Sequence, residues 1–200
     1  MATAFDLNGY SVLNNVITVD MAEVLAASFI NLRNFVHLRD GKDLSEIGYF
    51  NDEQVVKSFA QYGLPSFDAL LEHLRPVVED VVDKELYPTY SYARIYYNDA
   101  EMASHIDRAS CEYSMTLTLK TDGNLWPIWF TDKQNVTKEL LLDVGCGCVY
   151  KGMELPHWRT SFTGSQQIQV FLHYVDKNGP HAGLKYDGRS MLGVPKSFTA

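Results

Sequence analysis

Two short stretches of this chain carry residues whose types and spacing could do chemistry: Ser104-His105-Ile106-Asp107 and Pro156-His157-Trp158-Arg159. In extended backbone, side chains two residues apart share a face, so His105 and Asp107 can project together while Ile106 turns away. His157, arriving on a distant strand, would complete two imidazoles and one carboxylate on a single face of an ion. That ligand set suits non-haem Fe(II) and leaves coordination positions open. The triplet alone carries little weight, because at average composition His-x-Asp arises by chance in roughly one chain of this length in five. Polar residues that alternate along a strand can equally face solvent, and histidines often serve ordinary core hydrogen-bond networks. What matters is the set of elements that must position these side chains.

The chain has 200 residues, of which 46% are hydrophobic, enough for one globular domain with a sizeable core. A net charge of −8 and the lack of any Lys/Arg run argue against nucleic-acid or anionic-membrane partners. The start, Met1-Ala2-Thr3-Ala4-Phe5-Asp6, lacks a basic region followed by a long apolar run, and no stretch of 18 apolar residues occurs. With an odd count of cysteines (Cys111, Cys146 and Cys148), a reduced, cytoplasmic protein is expected. Cys146-Gly147-Cys148 has no second cysteine pair to complete a zinc site. It sits in the apolar run Val144–Tyr150, where free cysteines act as small core residues.

The first part of the chain, 1–86, reads as helical support. Tyr10–Leu13 is a short strand after the Asn8-Gly9 turn signal. Asp20, with Glu23 three residues on, caps a helix whose Met21, Val24, Leu25, Ser28, Phe29 and Leu32 form one stripe. Residues 39–43 form a polar loop. Asp52 opens a short helix through Gln61 that ends at Gly63. Ser66 begins a longer helix carrying Leu70, Leu71, Leu74, Val77, Val78 and Val81, with a kink or break near His73–Arg75 ahead of Pro76.

From Tyr87 the pattern changes to strands. Thr89–Tyr97 is rich in β-branched and aromatic residues, and His105–Asp107 begins a short strand. Ser114–Leu119 alternates polar and apolar, and Asp122-Gly123-Asn124 is a hairpin-type turn. Trp126–Phe130, Leu140–Leu142, Val144–Tyr150 and Gln166–Val175 supply further strands. Many short strands following helices predict an α+β, mainly β chain: a jelly-roll core over 87–180, with 181–200 as a C-terminal extension.

Over Tyr92 to Val175 the chain resembles the iron(II)- and 2-oxoglutarate-dependent oxygenases, in particular the prolyl 4-hydroxylase-like branch in its bacterial and phage-encoded forms. The residues that carry the resemblance are Tyr96, then His105-x-Asp107 nine residues on, then His157 after a Gly-containing turn, and the closing Gln169-Val170-Phe171-Leu172-His173-Tyr174 tract. The resemblance implies a double-stranded β-helix fold, with Fe(II), 2-oxoglutarate and O₂ as the working set. It implies His105, Asp107 and His157 as metal ligands and Tyr96, Arg159 and Gln169 as candidates for the 2-oxoglutarate subsite. One departure stands out: the window in which prolyl 4-hydroxylases carry a lysine for the far carboxylate is Ser165-Gln166-Gln167-Ile168-Gln169 here. A buried carboxylate without a cation is costly. Arg159 could supply a bidentate guanidinium, with Arg94 as the next candidate.

The same resemblance implies hydroxylation, because halogenating relatives replace the carboxylate that this chain keeps as Asp107. A prolyl residue of a peptide or protein is the implied substrate, with a free amino acid or other small molecule open. Trp126, Trp129 and Trp158 could wall a substrate groove or pack beneath the sheet. A cupin-like metal-binding or sensor domain without turnover, and a purely structural jelly roll, are the alternatives. Oligomeric state is not legible.

Overall fold

The computed structural model describes residues 3–38 and 47–194. In chain order the elements begin with α1 (Ala4–Asn8), β1 (Tyr10–Leu13), α2 (Val19–Leu38), β2 (Tyr49–Phe50), β3 (Ser58–Tyr62) and α3 (Pro65–Val82). They continue with β4 (Leu86–Tyr97), β5 (Met102–His105), β6 (Tyr113–Lys120), β7 (Ile128–Thr131) and β8 (Thr137–Leu140). The last are β9 (Gly147–Tyr150), β10 (His157–Arg159) and β11 (Gln166–Asp176). The described strands form two antiparallel sheets, a seven-stranded one in the order β1-β9-β6-β11-β4-β3-β2 and a four-stranded one in the order β5-β10-β7-β8.

Alternation along the strands of the large sheet separates two environments. Ala93 and Ile95 of β4, Met115, Leu117 and Leu119 of β6, Val149 of β9, and Ile168, Val170 and Leu172 of β11 all enter one apolar core. The same core takes Phe29 of α2 and Phe67, Leu71, Leu74 and Val78 of α3. Those α3 positions recur at helical period, so one stripe of the helix is buried. Each fully buried Leu or Phe there contributes about 1.5–3 kcal/mol of burial free energy. The intervening residues, Tyr92, Arg94 and Tyr96 of β4, Ser114, Thr116 and Thr118 of β6, and Gln169 and His173 of β11, point to the opposite face. That face carries the polar and aromatic groups of the site.

Several expectations are corrected. Asp52–Gln61 is no helix: residues 51–57 form an irregular strap and Ser58–Tyr62 is β3, paired with β4 from Ser58↔Tyr96 to Tyr62↔Tyr92. Positive φ at Asn51 (56°) and Lys57 (61°) breaks any helical run there. The region 1–86 is therefore not purely helical, since β1, β2 and β3 all join the large sheet. Helix α2 starts at Val19 with the Thr18 hydroxyl accepting from Met21 N, so Thr18, not Asp20, caps it. Its buried face is Ala22, Ala26, Phe29 and Val36, which leaves Met21 and Val24 exposed. Helix α3 runs unbroken through Pro76. His105 ends β5 rather than opening a strand. The polar loop expected at 39–43 lies outside the described residues.

Candidate metal centre

β10 sits between β5 and β7, and its pairing sets His157 directly opposite His105. The two imidazole centroids are 4.3 Å apart. Asp107 follows just beyond β5, its backbone N–H donating to the Gly152 carbonyl at 2.8 Å. Asp107 Oδ1 lies 3.7 Å from His105 Nε2 and 3.6 Å from His157 Nε2. Donor atoms of the three residues all lie within 4.8 Å of one another.

The ring orientations are set by backbone. His105 Nδ1 is 2.9 Å from the Ala103 carbonyl, and His157 Nδ1 is 3.0 Å from that of Leu155. A carbonyl only accepts, so both rings carry their proton on Nδ1 and turn the Nε2 lone pair toward Asp107. Burial lowers the His157 pKa to about 4, and burial followed by the neighbouring His157 lowers that of His105. Both rings are neutral at pH 7, as metal ligands must be. Burial pushes the Asp107 carboxyl up to about 6, against the pull of His105, Ser114 and Arg108. Two neutral nitrogens and a carboxylate that lacks a cation form a donor set a divalent ion would complete. The backbone here leaves no room for a side chain at Gly152, where a Cβ would stand 2.3 Å from the Cys111 carbonyl oxygen and 2.5 Å from Asp107 Oδ2.

A cavity of about 200 Å³ opens on the triad, with Tyr92, Arg94, Met102, Phe171 and His173 among its walls. Its roof includes Gln54 of the strap, whose side chain bridges His105 Nε2 (2.9 Å) and Arg94 Nη2 (3.2 Å). Asp52 pairs with Arg94 and accepts from the Tyr92 hydroxyl at 2.8 Å. Val55, fully buried, anchors the strap in a cluster with Tyr96, Met102, Trp126, Phe162 and Phe171.

Arg159 packs on Trp126 of that cluster, to which Tyr96 belongs, and neither residue lines the cavity. The Arg159 guanidinium is 1% exposed, donates through Nη1 to the Trp126 carbonyl at 2.6 Å and lies 4.8 Å from the Trp126 ring centre. No carboxylate among the described residues pairs with it, and burial drops its pKa to about 10. Its Nε, the Tyr96 hydroxyl and Gln167 Oε1 are buried without a hydrogen-bond partner. Unpartnered buried donors are uncommon and costly, and an uncompensated guanidinium with a free Nε, together with the Tyr96 hydroxyl, fits an anionic ligand. Gln169 is placed differently: its amide is engaged on both sides, accepting from Thr116 at 3.2 Å and donating to Thr118 at 2.9 Å.

The tryptophans do not line this cavity. Trp126 packs edge-on against Tyr96 and donates to the Thr160 carbonyl at 2.8 Å. Trp129 and Trp158 stack with centroids 6.3 Å apart, and strand alternation puts them on the face of the small sheet opposite His157. All three cysteines are free. Sequence reasoning missed Gln54, Asp52, Tyr92, Ser114 and His173. A polar pattern on alternate positions of β4, β6 and β11 was the available signal for the last three; nothing marked Gln54 or Asp52.

No family model and no curated protein matches the chain by sequence. Solved structures do match by fold. A prolyl-4-hydroxylase from Pseudomonas putida superposes with a TM-score of 0.64 at 15% identity, over 86% of this chain and 95% of that one. HygX from Streptomyces hygroscopicus, solved with nickel and 2-oxoglutarate bound, gives 0.64 at 13% identity, over 87% and 85%. SnoK, a non-haem α-ketoglutarate-dependent carbocyclase from nogalamycin biosynthesis, gives 0.69 at 10% identity, over 96% and 90%. The chain has the fold of prolyl 4-hydroxylase and related 2-oxoglutarate/Fe(II) oxygenases.

Proposed function

We propose that this protein is an Fe(II)- and 2-oxoglutarate-dependent oxygenase that hydroxylates an unactivated C–H bond. The observation that carries the proposal is the convergence of His105 Nε2, His157 Nε2 and Asp107 Oδ1 at one cavity. In this reading the two sheets are the halves of a double-stranded β-helix, and α2 and α3 are its supporting layer. When bound, iron and 2-oxoglutarate supply the oxidising chemistry, consuming O₂ and releasing succinate and CO₂.

The chain's own residues hold, orient and exclude. His105, His157 and Asp107 would hold the ion from one side, leaving the cavity side for exchangeable ligands. Arg159 and Tyr96 take the far carboxylate of 2-oxoglutarate, meeting it with a charge and a hydroxyl that burial leaves unpaired. Arg94 is the weaker candidate, because Asp52 already neutralises it. The Gln54 strap and Phe171 exclude water from the reacting end. A cavity of about 200 Å³ favours a substrate that presents one small group, a prolyl side chain of a peptide or a small molecule. The acidic charge and odd cysteine count favour a cytoplasmic protein acting on such a substrate without nucleic acid or an anionic membrane. No helix among the described residues is long and apolar enough to cross a membrane.

Anaerobic titration with Fe(II) and 2-oxoglutarate tests this, read by the weak visible charge-transfer band of the chelate and then by succinate release in air. Binding without succinate release would instead favour a metal-binding or sensor domain. No stoichiometric metal would overturn both.

A further inference from the structure

The two carboxylate oxygens of Asp107 have different surroundings. Oδ1 faces the two imidazoles. Oδ2 faces Ser114 Oγ, 3.3 Å away, on the side where Gly152 carries no Cβ. Ser114 Oγ lies in turn 2.8 Å from His173 Nδ1 and 3.3 Å from the Cys111 carbonyl. Ser114 and His173 face each other as register partners on β6 and β11, at 0% and 5% exposure. Tyr90 covers the His173 ring with centroids 4.5 Å apart, and the Tyr90 hydroxyl is itself engaged by Cys111 Sγ at 3.0 Å.

A serine hydroxyl has one hydrogen to give. Were His173 protonated only on Nε2, that hydrogen would go to Nδ1, its nearest acceptor. Asp107 Oδ2 would then face a bare oxygen lone pair in a buried setting, a repulsive arrangement. With the proton on Nδ1, His173 donates to Ser114, and the serine hydrogen is free for Oδ2, whose charge makes it a stronger acceptor than the neutral Cys111 carbonyl at the same 3.3 Å.

We propose that His173 and Ser114 are a positioning relay for Asp107: His173, held as the Nδ1–H tautomer, donates to Ser114, and Ser114 donates to Asp107 Oδ2. The relay keeps Oδ2 occupied, so Asp107 meets an ion through Oδ1 alone and does not rotate to chelate with both oxygens. A coordination position on the cavity side stays open as a result. The metal half of this inference rests on the proposed function; the tautomer half rests only on the hydrogen-bond geometry.

Long-range ¹H–¹⁵N spectra of the full chain, labelled at histidine, read the tautomer directly. The relay requires His173 to carry its proton on Nδ1 in the wild type, a readout that needs no variant to fold. Calorimetric Co(II) affinity of wild type, Ser114→Ala, His173→Leu and the double variant supplies the second arm. Each single change should weaken Co(II) by about tenfold, the low end for residues that orient metal ligands. The double variant should be no weaker than the worse single one, because both act through one bond. His173→Gln, whose amide can replace the Nδ1–H, should recover most of the loss. An Nε2–H tautomer, or additive losses, alongside intact wild-type Co(II) binding would overturn the relay alone. Failure of the wild type to bind Co(II) would instead overturn the proposed function and, with it, the metal role of the relay.

Discussion

His157 stands directly opposite His105 across the β10–β5 pairing, with ring centroids 4.3 Å apart and each Nδ1 tied to a backbone carbonyl two residues earlier. Two neutral imidazoles held this close gain nothing from each other in water. Their shared orientation toward Asp107 makes sense as the frame of an ion. His157→Ala should therefore remove stoichiometric Co(II) or Fe(II) binding while far-ultraviolet circular dichroism stays unchanged. Retention of one equivalent of metal in that variant would contradict the assignment.

Asp107 separates binding from stability. Burial already raises its pKa to about 6, so its charge is a cost to the fold when no ion offsets it. Asp107→Ala should lower Co(II) affinity by at least about tenfold. It should leave the melting temperature of the metal-free protein unchanged or slightly higher. A clear drop in melting temperature with metal affinity intact would reverse the interpretation.

Gly152 tests the geometry from the backbone side. A methyl there would stand 2.3 Å from the Cys111 carbonyl oxygen and 2.5 Å from Asp107 Oδ2, too close for either to remain in place. Gly152→Ala should destabilise by about 1–3 kcal/mol, as overpacking does. Metal affinity should fall with it, since Asp107 is the movable neighbour. Urea denaturation and Co(II) calorimetry on one preparation measure both.

Arg159 tests the anion subsite. Arg159→Ala should weaken 2-oxoglutarate binding by about 2–5 kcal/mol, the range for truncating one partner of a buried charged pair. Fe(II) affinity should barely change, because the guanidinium is not a ligand. Equal 2-oxoglutarate affinity in wild type and variant would move the role to Arg94.

Asp187 gives a pH-dependent prediction outside the site. It joins the C-terminal segment to the residue after Asp107, accepting from Arg108 at 2.6 and 2.7 Å and from Ser110 at 2.6 Å. Burial alone would raise its pKa, but the bonds from Arg108, Ser110 and Tyr62 outweigh burial and hold the carboxyl well below its usual range. A depressed folded-state pKa contributes stability that is present above the unfolded value of about 3.9 and lost as pH falls toward the folded one. The stability difference between wild type and Asp187→Asn should be about 1–3 kcal/mol at pH 7 and shrink below about pH 4. A constant difference down to pH 2 would show that the charge is not what matters.

The sequence by itself determined what depends on neighbours along the chain. Alternation in Ser114–Leu119 sends Met115, Leu117 and Leu119 to the apolar core and leaves Ser114, Thr116 and Thr118 for the other face, because successive strand side chains point oppositely. The spacing of His105 and Asp107 suggested a shared face for the same local reason, though β5 ends at His105 and the bond to Gly152 holds Asp107 beyond it; the buried stripe of α3 is legible too. Only the tertiary structure decided which residues meet. The strap 51–57 looked helical because Asp52 and Gly63 stand as start and stop signals around it. Pairing of β3 with the edge of β4 made it irregular and carried Gln54 onto His105. Ser114 and His173 are ordinary strand residues until β6 and β11 pair in one register and place them beside Asp107. Register between distant strands is set by the burial of whole faces, and no local pattern of residue types encodes it.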